Sequence, residues 1–183
     1  MNVNKLLSTK ERVKILEFVL YRREEITISG IAHALRISKG LVSKFFNILK
    51  KEKILKKTKN RFLVTDHINT RTLKILLNLN RFDSRIFQKH KFVRAAGLYG
   101  SVVVGENTEE SDIDLWVLIR NTSDENIAKL TNELKRKNGN IEPLYLTKEK
   151  LLLLRKEDIT FYHSLVFGSI TVYGEKIETV QFS

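Results

Sequence analysis

Apolar residues recur at helical spacing along the first third of the chain and gather into continuous apolar runs at the strands of the remainder, so the pattern itself suggests two kinds of structure. Val13, Ile15, Leu16, Val19 and Leu20 share one helical face. Ser8-Thr9-Lys10-Glu11 precedes them as a capping box. Ile26-Thr27-Ile28 reads as a short strand, and Ser29 is placed to cap a second helix carrying Ile31, Ala32, Ala34 and Leu35. Ser38 is placed to cap a third helix, with Leu41, Val42, Phe45, Ile48 and Leu49 turned inward. Lys39, Ser43, Lys44 and Asn47 are left on its outer face. Residues 54–58 and 61–64 form a basic hairpin about a turn at Lys59-Asn60. A connecting helix over residues 68–80 follows, and Asp83 caps another segment reaching Lys89.

From residue 93 the expected order is a strand (93–99), a short helix, a strand (112–119), a helix (123–137) and a strand (141–147). Helices over 148–155 and 158–167 and a last strand over 170–173 complete it. The fold class is therefore α+β, a small helical unit followed by a small mixed sheet. The expected domains are residues 1–66, a helical connector over 67–91, and residues 92–183.

Candidate chemistry lies in the second part. Gly100-Ser101 ends an apolar run, and Asp112-Ile113-Asp114 follows after ten residues, 102–111. Strand side chains alternate faces, so Asp112 and Asp114 point one way while Ile113 points into the core. Taken singly, an Asp-x-Asp at a strand end or a Gly-Ser pair is an ordinary turn. Together they head the apolar strand Leu115-Trp116-Val117-Leu118-Ile119, where two charges are costly unless they meet a cation or water. The combination favours a site for divalent metal and a nucleotide triphosphate.

Charge separates the halves. Through Asp66 there are 16 Lys and Arg against 6 Asp and Glu, a net of +10; from His67 onward the counts are 17 and 15, a net of +2. Such asymmetry is the footprint of a polyanion partner, most often nucleic acid. With no cysteine there is no disulfide framework, thiolate metal site or cysteine nucleophile. The 4 histidines, His33, His67, His90 and His163, lack metal-ligand spacing. No apolar stretch approaches a membrane span, and the first residues lack a signal-peptide core. The expectation is a cytoplasmic protein with no membrane partner.

Gly100-Ser101, the ten-residue gap and Asp112-x-Asp114 resemble the signature of the minimal nucleotidyltransferases of the polymerase-beta superfamily, over about residues 93–119. That resemblance implies two Mg²⁺ ions between Asp112, Asp114 and the triphosphate of ATP or another NTP. It implies that Ser101 and the amides of the Gly100 turn hold the outer phosphates. It also implies a third carboxylate on a later strand, which helps deprotonate the attacking hydroxyl. Here the only acid of segment 140–147 is Glu142, followed by Pro143, where many relatives carry Asp and no proline. Glu142 is thus either the catalytic base and metal ligand or a solvated residue at the start of a strand. Arg94 and Arg120 flank the strands as phosphate contacts or as solvated strand ends.

The first part, over residues 10–65, resembles the winged helix-turn-helix of prokaryotic transcription regulators. That resemblance implies DNA contacts from Arg36, Ser38, Lys39, Ser43, Lys44 and Asn47, and from Lys59 and Arg61 at the wing. Its alternative is a helical domain for protein contacts, and a homodimer matched to two half-sites stays open. Three functions follow. The leading one is a DNA-binding regulator carrying a nucleotidyltransferase that moves a nucleoside monophosphate, AMP from ATP, to an acceptor. The second is an antitoxin-type adenylyltransferase acting on a HEPN-type partner protein. The third is an inactive, nucleotide-sensing transcription regulator.

Overall fold

A computed structural model describes residues 1–179 of the chain. They form two compact units, one of Met1–Leu77 with Gly105–Glu110, the other of Asn78–Val104 with the described residues from Ser111 onward. The connecting helix is present and both units draw on it.

The first unit holds α1 (Val3–Leu6), α2 (Lys10–Val19), α3 (Ile28–Leu35) and α4 (Lys39–Lys51), then a hairpin of β1 (Leu55–Thr58) and β2 (Arg61–Val64), then most of α5 (Ile68–Arg81). Leu16, Val42, Phe45, Leu49, Ile54 and Leu73 lie in one continuous core. Thr9, not Ser8, caps α2: its Oγ1 accepts the Arg12 N–H at 3.3 Å, while Ser8 Oγ accepts from the Arg12 guanidinium at 2.8 Å. Thr27, not Ser29, caps α3, accepting the Gly30 N–H at 3.0 Å. With the helix starting that early, the expected strand over Ile26-Thr27-Ile28 shrinks to one antiparallel bridge between Ile26 and Phe62. Ser38 caps α4 as expected, accepting from Leu41 N–H at 3.3 Å.

Phe46 corrects the inward face assigned to α4. It is 0% exposed and lies one helical turn from Val42 and Leu49, with its ring edge-on to Phe62 at 4.9 Å and 76°. Leu41 and Ile48 are only partly buried.

The second unit is built on a four-stranded sheet of order β5-β4-β3-β6, with β3 (Val93–Leu98), β4 (Ile113–Ile119), β5 (Ile141–Leu146) and β6 (Ile170–Gly174). β3 runs antiparallel to both β4 and β6, whereas β4 and β5 are parallel. That parallel pair requires a crossover, supplied by α7 (Asp124–Asn138). Ahead of the sheet, Asp83 caps a 3₁₀ turn over Ser84–Lys89, accepting the Arg85 N–H at 3.1 Å.

Strand alternation assigns the two faces. Leu115, Val117 and Ile119 pack with Leu130 and Leu134 of α7 and with Ile86 and Phe87. Trp116 and Leu118 pack on the other face with Leu151 of α8 (Lys148–Glu157) and with Tyr162 and Leu165 of α9 (Ile159–Gly168). Both faces of β4 are therefore covered, which is why it reads as an unbroken apolar run. Asp112 stands one residue before the strand, and β4 opens at Ile113. Among the described residues, no helix is long and apolar enough to cross a membrane.

Candidate active site

Where β3 ends, the chain turns back against β4. The Tyr99 N–H donates to the Asp114 carbonyl at 3.1 Å, which fixes the turn at the level of that aspartate. Gly100 then adopts φ 68°, the left-handed region, and a Cβ at this position would fall on the Asp114 carboxylate. Only glycine meets both conditions. The Val103 N–H donates to the Gly100 carbonyl at 3.2 Å and begins α6 (Ser101–Val104), with half-buried Ser101 as its first residue.

The carboxylates come from adjacent strands. Asp114 is paired with Glu142 in the parallel β4–β5 register, so the two share a face of the sheet. Asp112 lies just ahead of the strand, close enough for its charge to act on Asp114, and the Ile113 N–H between them donates to the Asn140 carbonyl at 2.8 Å. The face that Asp114 and Glu142 share is the Trp116 face, at the end of the sheet where the apolar packing stops.

Asp114 is half-buried, while Asp112 and Glu142 are exposed. Burial, reinforced by the charges of Asp112 and Glu142, holds the Asp114 carboxyl above the usual carboxylate range. Burial likewise pushes the Tyr99 phenol up, with Asp114 and Glu142 adding to it. Negative charge is thus concentrated around Asp114. Asp114 and Glu142 share a face, yet among the described residues no group of three His, Cys, Asp or Glu side chains forms a ready-made cation cage.

Beneath the acids, Gly97 lets β3 approach the indole of Trp116. A Cβ on Gly97 would lie 2.5 Å from the ring. Trp116 is fully buried and its Nε1 has no hydrogen-bond partner. The sequence points to Trp116 as core, but it carries no local sign that Gly97 faces it across the strands. Tyr99 is half-buried and stands edge-on to Phe161, with ring centres 6.0 Å apart.

The basic candidates all belong to the first unit. Lys39, Lys44 and Asn47 are exposed along α4, and Ser43 is half-buried. Ser38 spends its hydroxyl on the cap of α4. Arg36 is exposed and closes α3 with φ 56°. Lys59 occupies the hairpin turn at φ 54°, and exposed Arg61 opens β2, paired with Glu25 at 3.6 Å.

The sequence matches the family described as polymerase beta, nucleotidyltransferase, over residues 84–178, and the chain belongs to that family. Its members in general use a nucleoside triphosphate and a divalent metal. No curated protein matches the chain. Among solved structures, it is similar to a chain of the complex of tri-AMPylated Shewanella oneidensis HEPN toxin with MNT antitoxin. That similarity has 16% identity and a TM-score of 0.38, covering 59% of this chain and 79% of the other.

A carboxyl whose pKa rises on folding takes up protons as the chain folds, so its share of stability is present in acid and lost as pH rises through the folded value. The metal-free protein therefore carries a charge penalty at Asp114 at neutral pH. Asp114→Asn is expected to raise the melting temperature at pH 7, with the gain shrinking as pH falls to about 4. Thermal unfolding at both pH values reads this. A gain independent of pH would assign it to packing instead.

Proposed function

We propose that this protein is a DNA-binding regulator whose second unit is a Mg²⁺-dependent nucleotidyltransferase, moving AMP from ATP to an acceptor hydroxyl. The observation that supports the nucleotide-site reading is the close approach of Gly100 to Asp114, whose carboxylate a Cβ at that position would strike.

Asp112 and Asp114 present hard oxygen donors, the class that Mg²⁺ prefers. Burial, with the charges of Asp112 and Glu142 adding to it, disfavours a bare charge on Asp114. These residues fit the metal, and Asp112 and Asp114 would hold it. When bound, Mg²⁺ offsets charge on the triphosphate and on the displaced pyrophosphate. The Ser101 hydroxyl and the amides that follow Gly100 donate to the outer phosphates. Glu142, on the same sheet face, accepts the proton of the acceptor hydroxyl. The acceptor oxygen then bonds to the α-phosphorus, the bond from that phosphorus to the bridging oxygen breaks, and pyrophosphate leaves.

Helices α2, α3 and α4 followed by a basic hairpin support reading the first unit as a winged helix-turn-helix. In that reading α4 enters the major groove through Lys39, Ser43, Lys44 and Asn47, and Lys59 and Arg61 follow the backbone. Arg36 and the amide end of α4 at Ser38 add phosphate contacts. The net charge of +10 through Asp66 supports the same reading.

One observation favours a second reading, nucleotide sensing without transfer. Glu142 is exposed and does not complete a three-acid group with the aspartates.

Incubation with α-labelled ATP and Mg²⁺ in a cell lysate, beside an Asp112→Ala/Asp114→Ala variant, separates the readings. Transfer predicts label on a macromolecule with the wild-type chain alone, and a labelled HEPN-type protein would identify the acceptor as in the antitoxin reading. Metal-dependent ATP binding without label supports sensing; the absence of both label and binding contradicts the site. For the first unit, Lys39→Ala/Lys44→Ala is expected to weaken binding to a duplex DNA of any sequence. It should also flatten the log-affinity against log-salt slope by about 2. An unchanged slope in a fluorescence titration would remove α4 from the DNA interface.

A further inference from the structure

Among the described residues the buried polar ones are Thr70, Lys74 and Asn107, and all of them belong to the first unit. Thr70 and Lys74, 2% and 8% exposed, stand four residues apart on α5 and so share a face of that helix. The Thr70 hydroxyl has no hydrogen-bond partner. The Lys74 Nζ donates to the Asn107 carbonyl at 2.7 Å, which uses one of its three protons. Burial pushes that ammonium below the ordinary lysine range, and the charges of Arg23 and Arg71 add to the effect against those of Asp66 and Glu106. An unsatisfied hydroxyl and a desolvated ammonium are both costly unless something meets them.

Both residues line one cavity of about 350 Å³, whose walls lie wholly within the first unit. That is a volume in which small molecules are commonly bound. Tyr21, just past α2, Val64 at the end of β2, and Gly105 form the other sides.

The charges around the cavity do not cancel. Its two carboxylates are both taken by Arg71, which donates twice to Asp66 at 2.7 Å and pairs with Glu106 at 2.7 Å. Arg22 pairs with Glu109 at 2.8 Å. Arg23 and Lys74 are left, and among the described residues neither has a carboxylate within ion-pair distance. Two like charges held together without a counter-ion favour an anion between them.

A phosphate group matches this lining better than a carboxylate does. It brings nearly two negative charges to two cations, and three terminal oxygens to an ammonium, a guanidinium and a hydroxyl. The apolar side chains of Leu20, Leu63 and Val64 beside them suit the carbon skeleton of an ester.

We propose that this cavity is a binding site for the phosphate group of a small phosphate or phosphate monoester, held by Arg23, Lys74 and Thr70. The site belongs to the first unit alone and does not rest on the nucleotide-site reading.

The test titrates inorganic phosphate and, separately, glycerol phosphate into the full isotope-labelled chain without Mg²⁺, following amide shifts by NMR. Saturable shifts are expected at residues 20–23, 63–74 and 105–108. Lys74→Met and Arg23→Ala are each expected to weaken binding about tenfold, and Thr70→Val severalfold. Arg23 is exposed, so its variant keeps the fold even where Lys74→Met loosens the core. Tighter binding of glycerol phosphate supports an ester as the ligand, and equal binding supports free phosphate. Shifts confined to α4 and the hairpin, or no saturable shift at all, overturn the proposal. So does an affinity that Arg23→Ala leaves unchanged.

Discussion

Between Gly100 and the Asp114 carboxylate there is no space for a methyl group, and the geometry of the second unit's functional end follows from that closeness. The left-handed φ of Gly100 turns the chain out of β3, and the Tyr99 N–H anchors the turn to the backbone of Asp114. Any L side chain at Gly100 would have to meet strain and collision together. The close approach brings backbone amides, a serine hydroxyl and a carboxylate into one neighbourhood without help from a loop that must fold over them.

The sheet supplies the rigidity that this arrangement needs. β4 is covered by apolar packing on both faces, and its one charged residue, Asp114, stands at the end where that packing stops. The same strand leaves the Trp116 Nε1 without a partner, a buried group costing about 1–3 kcal/mol when unsatisfied. Together with the carboxylate repulsion at Asp114, this concentrates unfavourable terms around the site. The apolar layers on both faces of the sheet offset them, a pattern common where a site is built for a cation and a charged ligand.

Much of this was legible in the residues, for physical reasons that differ by element. The strands of the second unit follow from continuous apolar runs and α7 from helical spacing, because β4 is buried on both faces. Helix starts slipped by one or two residues where two hydroxyls compete, as with Ser8 against Thr9 and Thr27 against Ser29. Either residue of such a pair satisfies the same donors, and tertiary packing decides between them. Phe46 was missed because its neighbour Phe45 already satisfied the pattern; the hairpin residue Phe62 is what draws it inward. The hold of Lys74 on the Asn107 carbonyl has no local signature. A lysine in an apolar helix shows that something holds it, but not which carbonyl lies 33 positions away.

The central claim is that the turn at Gly100 and the adjoining acids form a nucleotide site. It is tested most directly by titrating ATP with Mg²⁺ into the wild-type chain, Gly100→Ala, and the control Gly40→Ala, whose added Cβ meets nothing within 4 Å. The account predicts metal-dependent binding by the wild type and the control and its loss in Gly100→Ala. Equal binding by all three, or none by the wild type, would contradict it.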